Sequence, residues 1–108
     1  DHALYSFTAD ADGTPRIQWR QTYDRGTGTK PGSVNQGSGT TPDLFGTGGE
    51  YVAITDNADD RMNVLVYRRG MDVPADRRLV CSVPVFGSGR STTDNSLISW
   101  GDSLVVEN

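Results

Sequence analysis

Apolar residues in this chain fall in short runs that alternate with polar ones, and Gly, Asp, Asn and Pro bound nearly every run. Residues 3–8, Ala-Leu-Tyr-Ser-Phe-Thr, alternate as a half-buried strand does, and residues 9–15 follow as a turn rich in Asp, Gly and Pro. Residues 16–23, from Arg16 through Trp19 to Tyr23, alternate again and complete a predicted hairpin. Residues 24–39 carry Gly26, Gly28, Pro31, Gly32, Gly37 and Gly39 with almost no apolar residue, which predicts a long loop. A short strand over 41–45, a glycine turn and a strand over 50–55 come next. After the acidic turn 56–60, residues 62–68 form the clearest strand, and 78–86 pair with it across the loop of the seventies. Strands over 96–100 and 103–107 flank a Gly101-Asp102 turn. No sustained helical period occurs, so the pattern predicts an all-β fold of about eight antiparallel strands.

The strands also repeat. At a shift of about 52 residues Gly37, Thr40, Thr41 and Gly49 fall on Gly89, Thr92, Thr93 and Gly101, while Glu50, Val52 and Ile54 fall on Asp102, Leu104 and Val106. With one gap, Asn57 meets Asn108. The remaining hairpins match at a shift nearer 62, with Tyr5, Asp10, Arg16 and Ile17 on Tyr67, Asp72, Arg78 and Leu79. Matches on turn glycines and core positions are what a structural repeat preserves. With the strands of one unit lettered A to D, the chain reads C-D, A-B-C-D, A-B. Residues 1–36 are then a half unit and loop, 37–88 a whole unit and 89–108 a second half, within a single β domain or repeat segment.

Composition narrows the function classes. The chain has 108 residues, 34% of them hydrophobic, a net charge of -4 and a pI near 4.7. Such a charge disfavours general attraction to nucleic acid or anionic membranes, and no segment approaches the roughly 20 apolar residues of a membrane span. Arg68-Arg69 and Arg77-Arg78 flank one turn and read as a solvated hairpin end. Cys81 lies in the run Leu79-Val80-Cys81 and reads as a small buried residue. Opening on Asp1-His2-Ala3 without methionine or a signal peptide, the chain is expected to be processed or excised from something longer.

Candidate chemistry concentrates at strand ends. Asp56, Asn57, Asp59 and Asp60 supply the hard oxygens calcium prefers, without the spacing of an EF-hand loop, and the competing reading is an Asx turn. Glu107-Asn108 repeats the acid-amide pair, which makes Asp56, Asn57, Glu107 and Asn108 candidate ligand contacts. Glu50, Asp56 and Glu107 are candidates for paired-carboxylate hydrolysis. Trp19, joined by Trp100, Tyr23 and Tyr51, would suit sugar stacking, although aromatics in a small β domain also build cores. His2 is the only histidine and is terminal, which argues against a Ser-His-Asp triad. Gly37-Ser38-Gly39 and Gly87-Ser88-Gly89 lack nucleophile-elbow spacing and read as turns.

The stretch ALYSFTADADGTPRIQW resembles the Asp-Gly hairpin of PQQ-like, quinoprotein-type β-propeller repeats. GSGTTPDLFGTGGEYVAITDN is similar to their inner strand, turn and second strand. The resemblance covers most of the chain and implies four-stranded blades around a central channel, about two blades' worth, with a small barrel or sandwich as the alternative. It also implies a periplasmic or secreted setting, and some relatives in that family bind PQQ with calcium and oxidise alcohols or sugars. This chain lacks the adjacent cysteines beside that cofactor and is too short to enclose one. The expected function is a non-catalytic binding or assembly segment. The alternatives are a quinoprotein-like oxidoreductase or hydrolase whose pocket forms in a larger parent or a homo-oligomer, and a carbohydrate-binding ring. Because two blades cannot close, the segment belongs to a larger propeller, assembles head to tail, or folds alone.

Overall fold

The alternation of the chain is realised as eight antiparallel strands in a computed structural model that describes residues 2–108. Strands β1 (Ala3–Ala9) and β2 (Pro15–Thr22) form a hairpin. Its turn is closed by the Gly13 N–H donating to the Asp10 carbonyl and the Thr14 N–H donating to the Asp12 carboxylate, with Gly13 at φ 86°. Strands β3 (Asp43–Phe45), β4 (Tyr51–Thr55), β5 (Asn63–Arg68) and β6 (Leu79–Pro84) follow one another in a four-stranded sheet. Strands β7 (Ile98–Trp100) and β8 (Ser103–Val105) make a second hairpin around the tight Gly101-Asp102 turn. The eight strands thus form three separate sheets of two, four and two strands, not a closed barrel.

The central sheet is covered on both faces, which explains why β4 and β5 read as unbroken apolar runs. Val52 and Ile54 of β4 with Leu65 and Tyr67 of β5 point to one face, where Leu4, Trp19 and Tyr23 of the first hairpin and its exit pack on them. Ala53, Val64 and Val66 point to the other, against Leu97, Leu104 and Val106 around the second hairpin. Side chains alternate across a strand, so a five-residue strand serves two cores at once. Burial of each large aliphatic side chain contributes about 1.5–3 kcal/mol, and among the described residues the two small clusters hold every buried apolar side chain except Met62.

The two hairpins reproduce the two halves of the central sheet. The pairs Ile98↔Val105, Ser99↔Leu104 and Trp100↔Ser103 repeat the pattern of Asp43↔Ala53, Leu44↔Val52 and Phe45↔Tyr51. The first hairpin repeats β5-β6 down to a β-bulge, since Phe7↔Ile17 then Ser6↔Trp19 matches Tyr67↔Leu79 then Val66↔Cys81. The bulge corrects the sequence register on one strand. β2 aligns with β6 at the expected 62 residues, but β1 aligns with β5 at 60, so Phe7 and not Tyr5 corresponds to Tyr67. Two extra residues in the β5-β6 connection account for the difference.

That connection also holds a single helical turn, α1 (Ala75–Arg78), where sequence predicted loop. Two further expectations are overturned nearby. Arg78 is buried, not solvated, and Cys81 is exposed, because β6 is the last strand of its sheet and is open along its whole length.

Candidate functional site

The acidic turn after β4 is built into the fold through its oxygens. Asp56 is buried; its Oδ1 accepts from the Asn63 N–H at 2.6 Å and the Ala58 N–H at 3.3 Å, and its Oδ2 accepts from the Asn63 side-chain amide at 2.7 Å. Asn57, also buried, donates its side-chain amide to the Arg25 and Gly28 carbonyls at 2.8 and 3.1 Å. Asp59 Oδ1 accepts from both the N–H and the hydroxyl of Thr27, and Asp60 accepts from the Ser88 hydroxyl. Asp56, Asp59 and Asp60 therefore face separate partners. Among the described residues, no three His, Cys, Asp or Glu side chains converge as a metal-binding group.

The same contacts explain how the glycine-rich stretch 24–39 can be ordered without regular structure. The Asn57 N–H donates to the Asp24 carbonyl, and Gly26 at φ 68° lies so close that a Cβ there would sit 2.3 Å from the Asn57 carbonyl oxygen. Further along, Lys30 Nζ donates to the Ala58 and Ser91 carbonyls, and the Val34 N–H donates to Asp94 at 2.7 Å. The loop is thus a strap that ties the turn after β4 to the segment before β7.

Glu107 and Asn108 meet the far end of this strap. They line a polar cleft of about 540 Å³ with Arg90, Thr92, Asp94 and Asn95, closed on one side by Pro31 and Val34. Asn95 donates to Glu107, and the Thr92 N–H donates to Asn108 at 3.2 Å. The structure separates this pair from Asp56-Asn57, one in a cleft and the other in the interior. Glu50 is exposed beyond β3 and does not line the cleft.

The aromatic residues are also dispersed. Trp19 packs with Tyr23 on one face of the central sheet, donates its indole N–H to the Arg69 carbonyl at 3.0 Å, and lies under the Arg78 guanidinium. Tyr51 packs with Phe45 on the opposite face, ring centroids 5.5 Å apart. Trp100 is 88% exposed. His2 Nδ1 accepts from the Arg25 guanidinium at 3.3 Å and Nε2 donates to the Gln36 carbonyl at 3.2 Å, closing the strap from the N-terminal side.

Sequence reading missed Arg78 and the apolar surfaces. Arg78 Nη1 donates to the Arg68 and Gly70 carbonyls at 2.7 and 2.8 Å, and Nη2 to the Val73 carbonyl at 3.0 Å. Burial pulls its pKa below the ordinary value. An apolar groove of about 460 Å³ runs beside the second hairpin, over Val64, Val66, Cys81, Val83, Val85 and Leu104. A smaller groove of about 220 Å³ lies beside β1, over Trp19, Leu44 and Val52. The outward faces of the hairpins expose Phe7 and Ile17 at one end, and Ile98, Trp100 and Val105 at the other.

Comparisons with protein-family models, curated proteins and solved structures give no match to this chain. No helix among the described residues is long and apolar enough to cross a membrane.

Proposed function

We propose that this chain is a stretch of β-propeller, one whole blade between two half blades, acting as a non-catalytic binding or assembly module. The observation that carries the reading is the face-to-face stacking of β1-β2, β3-β6 and β7-β8, in which each hairpin repeats one half of the central sheet. The apolar surfaces lie at the ends of that stack, and large exposed apolar patches mark interaction surfaces. Asp56 and Asn57 are instead engaged in holding turns. The PQQ-like resemblance of the first hairpin and of residues 37–57 agrees with this reading, and it alone carries the periplasmic or secreted setting.

The test is spectroscopic. Titration of the folded chain with calcium and PQQ should leave the quinone absorbance and the unfolding midpoint unchanged. Quinone reduction on adding an alcohol or sugar would replace the module reading with the oxidoreductase one. A second reading, a site for a small polar ligand, rests on the cleft of Arg90, Asp94, Asn95, Glu107 and Asn108. It lacks an aromatic platform, so thermal stabilisation by a panel of sugars and amino acids, lost in Glu107→Ala, is the measurement that would establish it.

A further inference from the structure

We propose that the outer edge of β8 is completed by β1 of a second copy of this chain, forming a four-stranded sheet β7-β8-β1-β2 at each junction. The inference rests on the propeller-segment reading and names the partner that reading leaves open. Among the described residues, β8 has no neighbour in the sheet order beyond β7, and β1 has none beyond β2. Each therefore presents a strand edge able to pair with another strand.

The chain carries its own template for the joint. In the central sheet β4 pairs with β5 as Val52↔Tyr67, Ala53↔Val66 and Ile54↔Leu65. β8 repeats β4 and β1 repeats β5, so the same ladder sets Leu104 opposite Phe7 of the second copy and Val105 opposite Ser6. This register continues an arrangement the molecule already makes once within itself.

Edge pairing in that register seats both exposed ends. Leu104 points into the larger groove, so Phe7 beside it, with its cross-strand partner Ile17, covers Val64, Val66 and Cys81 of the first copy. Tyr67, the internal counterpart of Phe7, is 2% exposed, whereas Phe7 is 59% exposed. On the opposite face Val105, Ile98 and Trp100 turn toward the smaller groove of the second copy, over Leu44 and Val52. Phe45, the counterpart of Trp100, is already packed in the equivalent place. The two aromatic side chains alone, Phe7 and Trp100, put roughly 300–500 Å² into one joint at ~150–250 Å² each, and Ile17, Ile98 and Val105, exposed beside them, add to it. Because the joint is heterologous, repetition gives a ring or an open filament according to its rotation.

The test uses the full chain. Light scattering through a dilution series should show oligomers that dissociate on dilution. Trp100→Glu blocks one end and Phe7→Glu the other; both side chains are exposed in the single copy, so each variant should fold and remain monomeric, with the dissociation constant raised ~100-fold, ~2.7 kcal/mol. Mixed in equal amounts, the two should form a dimer and nothing larger, because one unblocked joint remains. In that dimer Cys81 of the Phe7→Glu copy lies under the joint and should react with a thiol reagent ~tenfold more slowly than Cys81 of the other copy. A wild-type chain that stays monomeric, a mixture that does not associate, or equal protection of both thiols overturns the proposal. Amide exchange separates the two failures: a monomer that keeps the two-four-two strand protection leaves the propeller reading standing, and loss of that pattern removes both.

Discussion

The guanidinium of Arg78 lies 4.5 Å above the Trp19 ring, joining the α1 turn to the first hairpin. With three carbonyls also converging on it, Arg78 is the hub of the β5-β6 connection. Truncation to methionine leaves the Arg68, Gly70 and Val73 carbonyls without their donor, so Arg78→Met is expected to cost about 2–3 kcal/mol in urea unfolding. Arg78→Lys should recover only part of the loss, because an ammonium lacks the planar fork and stacks poorly. A loss below ~1 kcal/mol for methionine would show that the hub role is wrong.

Tyr67 gives the fold an alkaline limit. Burial first, then the nearby Asp56 and Tyr23, push its phenol from 10.0 up to about 12. A raised folded pKa means that the neutral form is favoured in the fold. This stabilisation is complete below pH 10 and disappears as pH rises from about 10 through about 12. Urea unfolding across that window should show a fall of roughly 2–3 kcal/mol that Tyr67→Phe abolishes. If the phenylalanine variant falls equally steeply, other groups set the limit.

Gly26 should tolerate no side chain. Its φ is 68°, and an alanine Cβ would come within 2.3 Å of the Asn57 carbonyl oxygen, so Gly26→Ala must push the strap off the turn after β4. The expected cost is about 2–3 kcal/mol, above the ~1 kcal/mol of the conformation alone. Gly28→Ala, with nothing within 4 Å, is the control and should stay near wild type in the same thermal assay.

Asp56 is expected to matter for stability and not for calcium. Asp56→Ala removes acceptors for the Asn63 backbone and side chain and should cost about 2 kcal/mol, while Asp56→Asn keeps one oxygen and costs less. Calcium should leave the wild-type unfolding midpoint where it was. A rise of several degrees on adding calcium, lost in Asp56→Asn, would return a metal to this turn.

Much of the strand plan could be read directly from alternation and from short unbroken apolar runs, because a strand packed on one face alternates and a strand packed on both is apolar throughout. Val52-Ala53-Ile54 and Val64-Leu65-Val66 show this most clearly. Arg78 was illegible because its partners are carbonyls, which leave no trace in side-chain identity, and a tryptophan on a strand far away in the chain. Cys81 misled for the opposite reason: Leu79-Val80-Cys81 is apolar enough for a core, but its strand is an outermost one. Asp56-Asn57 was visible as a turn or a ligand set, and the deciding fact was which donors lay nearby. Glu107-Asn108 shared its chemistry but reached a cleft through the distant Pro31 and Val34, a proximity no local pattern records.

The two matched turns differ in length while the strands they join do not. Five residues, 46–50, connect β3 to β4, and Gly101-Asp102 alone connect β7 to β8, yet the flanking pairs coincide. This rim of the molecule is consequently the place for grafting: a tag, fluorophore or foreign peptide spliced between Gly46 and Glu50 should leave the strand ladder undisturbed.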